Sequence, residues 1–169
     1  GQALRDGLLA VAQQLAQARS LFFVGRVRGY PVAREGAQKF KEISYRHAEA
    51  YQTSELKHGP LALIDPEVPT VALVPADELT DRNLAALHEI AARRGPLVVI
   101  THPDVDLGDL AQHRPGQPSV TRIDVPRSER ELDPILLTIP LQLLAYHTAL
   151  TLDLDVDKPR NLAKSVTVE

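Results

Sequence analysis

The chain has 169 residues, of which 24% are charged and 44% hydrophobic, with a formal net charge of −3. That is the size of one domain able to bury a core. The lack of cysteine excludes a disulfide scaffold, a thiol nucleophile and a Cys-ligated zinc, and the mild negative charge speaks against nucleic acid and anionic membrane as main partners. The chain has no methionine, so Gly1 is expected to follow a cut in a longer polypeptide, and residues 1–18 are too polar for a signal peptide. The expected compartment is the cytoplasm.

Leu4, Leu8, Val11, Leu15 and Ala18 recur at helical spacing, which predicts a helix over 3–18. Leu21 to Val24 reads as a buried parallel strand ending at Gly25. Pro31 opens a helix running to about Tyr45, since proline is tolerated in a first turn. Ala48 to Gln52 is a second strand, and Thr53 or Ser54 is expected to cap a brief helix that Gly59-Pro60 ends. A strand over 70–74, a helix over 80–94 and a strand over 97–101 follow. Residues 102–118 read as loop. Val120 to Val125 is a fifth strand. Pro134 to Leu152 carries no charge and is near the length of a membrane span. Its two prolines, Gln142, His147 and threonines make it read as a core helix with a polar face instead. Residues 153–169 form a polar tail with a possible helical turn near Leu162.

Short strands alternating with helices predict one three-layer α/β/α sandwich over 1–152, built on a five-stranded parallel sheet. In such sheets ligands usually sit beyond the carboxyl ends of the strands, which directs attention to the segments after residues 25, 52, 74 and 101.

Three segments carry candidate chemistry. In EGAQKFKE, Glu35, Lys39 and Glu42 lie at i, i+4 and i+7, so they share one helix face. Two carboxylates around an ammonium suit proton transfer at a polar substrate. The same spacing also reads as a solvated face with two ordinary ion pairs. In ELKHGP, His58 precedes a Gly-Pro break, where a helix C-terminus favours the protonated ring; a capping or core histidine fits equally. In the tail, Lys164 sits among apolar residues, and a lysine on a closing segment can act as a carbonyl-reactive amine. His88, His102, His113 and His147 show no metal-ligand spacing and receive no role. No GxxxxGK[ST], GxGxxG or GxSxG is present. The loop Pro75-Ala76-Asp77-Glu78 carries two acids that would repel a phosphate.

EGAQKFKEISYRHAEAY, ELKHGPLALI and the terminal DKPRNLAKSVTVE together resemble the C-terminal part of the glucosamine-6-phosphate synthases (glutamine–fructose-6-phosphate aminotransferases, isomerising). The resemblance runs from about Leu21 to Glu169 and covers only the second of that family's two sugar isomerase (SIS) domains. It implies an α/β sandwich with a five-stranded parallel sheet. Partners implied are a sugar phosphate (fructose 6-phosphate or glucosamine 6-phosphate), a first SIS domain that holds the phosphate, a cysteine-led glutaminase domain, and a second subunit in a homodimer. No metal or organic cofactor is implied, nor nucleic acid or membrane.

By that resemblance Glu42 is the base that moves a proton between C1 and C2, with Glu35 and Lys39 as its supporting pair. His58 is the ring-opening group, delivered to the neighbouring subunit's site. Lys164 engages the C2 carbonyl as a Schiff base, on a tail (153–169) that closes over the site. Ser54 stands where glycine is usual, and Gln38 and Phe40 where leucines are usual; none is expected to touch a catalytic position, but Ser54 could alter the turn that aims His58. The fragment alone is expected to be inactive. The rival readings are a non-catalytic sugar-phosphate-binding or dimerisation SIS module, and a deglycase-type SIS enzyme.

Overall fold

Strand β1 (Ser20–Gly25) carries the run Leu21-Phe22-Phe23-Val24, whose side chains alternate between two faces. Leu21 and Phe23 enter one buried cluster, while Phe22 and Val24 enter another. A strand that is apolar on both faces must be covered on both, and the computed structural model, which describes residues 2–112 and 116–162 with side chains from residue 7, shows how. The sheet is parallel throughout, in the order β2-β1-β3-β4-β5, with β2 at His47–Gln52, β3 at Thr70–Val74, β4 at Leu97–Thr101 and β5 at Val120–Asp124. Helices α1 (Gln2–Gln17), α2 (Gly29–Ser44) and α4 (Asp133–Thr151) cover one face. Helix α3 (Thr80–Ala91) and the 3₁₀ turns Thr53–His58 and Pro60–Leu63 cover the other. The three-layer sandwich read from the sequence is therefore the fold, with element ends within three residues of expectation. Loop 102–118 adds one short 3₁₀ turn at Gly108–Ala111.

Two local features differ from the sequence reading. Thr53 does not cap its turn: it is buried, donates to Asn83 Oδ1 at 3.0 Å and accepts from Arg26 Nε at 3.2 Å. Helix α4 buries Leu137, Leu141, Leu144, Ala145 and Thr148 against α1 and α2, as a core helix should. Its outward face is not polar, however. Apart from Gln142 and Thr151 it presents Ile135, Ile139, Leu143, Tyr146 and Leu150.

The parallel arrangement fixes which residues meet. Helix α2 starts beside the carboxyl end of β1 and ends just before β2, so it runs back across the sheet. The join is tight: a Cβ on Gly25 would lie 2.4 Å from the backbone carbon of Gly29. Backbone cannot yield as a flexible side chain does. Gly25→Ala is therefore expected to cost about 2–3 kcal/mol, read as a thermal midpoint lowered by roughly 4–12 °C.

Candidate functional site

Helix α2 turns Val32, Ala33, Ala37 and Phe40 into the core, and the ring of Phe40 lies 5.7 Å from that of Phe23. That leaves Glu35, Lys39 and Glu42 on the solvent side, on one face as the spacing predicts. Lys39 Nζ donates to Glu42 Oε2 at 2.6 Å and lies 4.0 Å from Glu35 Oε1. Glu42 is the least exposed of the three, at 24%. Its second oxygen accepts from Gln38 Nε2 at 2.9 Å. Gln38, one of the departures from the family pattern, thus touches the proposed base directly, contrary to expectation.

These contacts set the protonation state. The bond from Lys39, then that from Gln38, holds the Glu42 carboxyl below the ordinary 4.5, and the bond to Glu42 raises the Lys39 ammonium above the ordinary 10.5. A depressed carboxylate contributes stability above its unfolded value and loses it as pH falls through the folded one. A raised lysine keeps its contribution until pH rises through its folded value. The pair is thus ionised on both sides across neutral pH. Gln38→Leu removes one stabilising donor. It is expected to move the Glu42 pKa up toward 4.5, which carboxyl-carbon NMR titration reads directly. Any activity that needs the carboxylate should then lose its acid limb at a higher pH.

His58 lies at the other edge of the sheet. It is the last residue of the turn Thr53–His58, exposed, and followed by Gly59 at φ 144°. Leu56 plugs the turn into the core on the α3 side of the sheet, and Lys57 pairs with Glu89 of α3 at 2.9 Å. Thr53, bonded to Asn83 and Arg26, clamps the start of the turn. At 1.5 Å per residue, about 20 Å of helix separates Glu42 from the carboxyl edge where α2 begins. The structure therefore gathers Glu35, Lys39 and Glu42 and leaves His58 apart from Glu42. Attention to the carboxyl edge alone would miss the triad. Lys164 lies outside the described residues.

The acids of loop 75–78 do not stand as free charges. Asp77 pairs with Arg28 at 3.0 Å and Glu78 with Arg130 at 2.7 Å. Three backbone donors of this turn are engaged within the chain. Ala76 N–H goes to His102 Nδ1, Asp77 N–H to Thr80 Oγ1 and Leu79 N–H to Asp77 Oδ1. His102 is fully buried, with Nε2 3.5 Å from Asp133 Oδ1, and Arg28 reaches Asp133 at 4.0 Å. Sequence reasoning gave His102 no role. It joins the β3–α3 turn to the start of α4, and only its isolation at the end of an apolar strand hinted at that.

Near Glu42 the chain forms a cleft of about 470 Å³, lined by Gln38, Lys41, Glu42, Tyr45, Arg46 and His47, and by Arg160, Asn161 and Leu162 from the segment after α4. That segment turns at Arg160–Asn161, and the residues beyond Leu162 lie outside the described ones. Among the described residues no three His, Asp or Glu side chains converge to hold a metal ion.

Residues 14–152 match the family described as SIS domain. The chain is 51% identical, over 98% of its length, to a glutamine–fructose-6-phosphate aminotransferase (isomerizing) of Neisseria meningitidis serogroup B, and 44% identical over 98% to one of Bacteroides thetaiotaomicron. It spans about a quarter of the length of these curated relatives, 26% in each case. A solved structure described as the C-terminal domain of glucosamine-fructose-6-phosphate aminotransferase from Francisella tularensis superposes with a TM-score of 0.79 at 40% identity, covering 93% of this chain and 42% of that one. A glucosamine-6-phosphate deaminase from Thermotoga maritima shares the fold, with a TM-score of 0.67 at 23% identity, over 98% of this chain and 46% of that one. The sheet order, the two-sided core and these matches converge: the chain belongs to the SIS domain family.

Proposed function

We propose that this chain is the second SIS domain of a glucosamine-6-phosphate synthase, a cytoplasmic homodimeric glutamine amidotransferase that makes glucosamine 6-phosphate from fructose 6-phosphate and glutamine. The observation that carries the reading is the half-identity to an isomerizing aminotransferase across nearly the whole chain. The ionised Glu42, held by Lys39 and Gln38 at the mouth of a cleft, agrees with it.

In this reading Lys164, on the tail 153–169 that closes over the site, engages the C2 carbonyl of the open-chain sugar as a Schiff base. Ammonia then displaces the Lys164 amine from C2 to leave the free ketimine, and Glu42 takes the proton from C1 and returns it at C2. Lys39 and Glu35 orient the carboxylate and the sugar hydroxyls, and His58, given to the neighbouring subunit, opens the ring. The first SIS domain holds the phosphate and the glutaminase domain supplies ammonia. Two observations support a division of labour. The turn after β3 has three of its backbone donors engaged within the chain. The apolar outward face of α4 also suits burial against the preceding SIS domain: the relatives are about four times as long as this chain, and the Francisella chain more than twice as long.

The test is product formation, followed by mass spectrometry, with fructose 6-phosphate and glutamine as substrates. The full-length protein is expected to form glucosamine 6-phosphate and the isolated 169-residue chain to form none. No product from the full-length protein would overturn the reading. Turnover that survives both Glu42→Gln and Lys164→Ala would favour a non-catalytic sugar-phosphate module instead.

A further inference from the structure

Tyr45 has no role in the reaction as read so far, yet it makes the longest-range side-chain contact near the triad. It closes α2 in the left-handed conformation, with φ 58° and its N–H bonded to Lys41 O at 3.2 Å. A non-glycine residue seldom adopts this conformation. Here it ends the helix and turns the phenol toward the segment that follows α4. Tyr45 Oη accepts the backbone N–H of Arg160 at 2.8 Å, across 115 positions of sequence. The Arg160 guanidinium carbon lies 4.3 Å from the centre of the same ring, within the range of a cation–π contact. One aromatic side chain thus holds a residue of the segment after α4 by both its backbone and its side chain. The bound segment forms one wall of the 470 Å³ cleft whose other wall includes Glu42. Asn161 follows at φ 61°, so the chain turns at that point.

We propose that Tyr45 is a positioning residue: a latch that fastens the segment after α4 across the end of α2 and so holds the wall formed by Arg160, Asn161 and Leu162 against the cleft beside Glu42. The inference rests on the reading that Glu42 and Lys164 serve one reaction. A latch of one neutral hydrogen bond and one exposed cation–π contact is weak enough to open and close during turnover. Its ring is fixed to a helix end, so it returns the segment to the same place.

The experiment uses the full-length protein and three variants. Tyr45→Phe keeps the ring and loses the hydrogen bond, Arg160→Met loses the cation and keeps the backbone N–H, and Tyr45→Ala loses both contacts. Hydrogen exchange of residues 155–162 and release of C-terminal residues by carboxypeptidase report the segment directly. Steady-state kinetics report kcat and KM for fructose 6-phosphate. Each single-contact variant is expected to speed exchange and carboxypeptidase release about fivefold, the effect of one modest contact. Tyr45→Ala should do more, and kcat/KM should fall in the same order while the thermal midpoint of the Phe and Met variants stays put. Should Tyr45→Ala not fold, the Phe and Met variants carry the test alone. Unchanged exchange and carboxypeptidase release in folded variants would overturn the latch, and a loosened segment with unchanged kinetics would overturn its positioning role. Failure of the underlying reading has a separate mark: Lys164→Ala would then keep full turnover in the otherwise unaltered protein.

Discussion

Glu42→Gln in the full-length protein is expected to lower kcat by about 10²–10⁴-fold, the usual worth of a positioned proton-transferring group. The substitution is close to isosteric. The new amide oxygen can still accept from Lys39, which donates at 2.6 Å in the parent, so the helix face should keep its geometry. What disappears is a carboxylate that two donors hold ionised at neutral pH. KM for fructose 6-phosphate should therefore change little, and the thermal midpoint should shift by no more than a few degrees. A drop in kcat with a matching collapse in stability would instead mark Glu42 as structural. Near-normal turnover would remove it from the reaction altogether.

The second large effect comes from mixing two inactive proteins. Glu42 and His58 stand at opposite edges of one sheet, separated by most of the length of α2. If His58 serves the neighbouring subunit, a dimer pairing Glu42→Gln with His58→Asn contains one doubly damaged centre and one intact centre. Random reassociation makes half of the dimers mixed, so about a quarter of parental activity should return from two preparations that are each nearly dead. Activity that stays at the level of the separate variants after verified subunit exchange would mean that each chain uses its own histidine. The two outcomes differ by an order of magnitude or more, so the assay needs no fine calibration.

The fold was legible because its signals are local. Leu21 to Val24 and Leu97 to Thr101 are apolar on both faces, which only a covered central strand tolerates, and glycine and proline mark most of the breaks. The triad was legible for the same reason: Glu35, Lys39 and Glu42 need only helical periodicity to meet. His58, by contrast, could be placed on its turn but not relative to Glu42, because their separation depends on the direction of α2 across the sheet. Thr53 looked like a cap because Asn83 and Arg26, which bind it, come from other elements. Gln38 was dismissed for its identity when its position, one turn before Glu42, was the informative fact. The His102–Asp133 and Tyr45–Arg160 contacts join residues with no periodic relation, and no pattern in one sequence announces such pairs.

Helix α4 was expected to show water a polar face, and it shows Ile135, Ile139, Leu143, Tyr146 and Leu150 instead. The consequence reaches the bench. A stripe of this kind running the length of a 19-residue helix makes the 169-residue chain on its own prone to self-association. Association that favours the folded form raises the apparent midpoint of unfolding as protein concentration rises. Melting curves of the chain on its own therefore belong to a concentration series, and their dilute limit is the value to compare between variants.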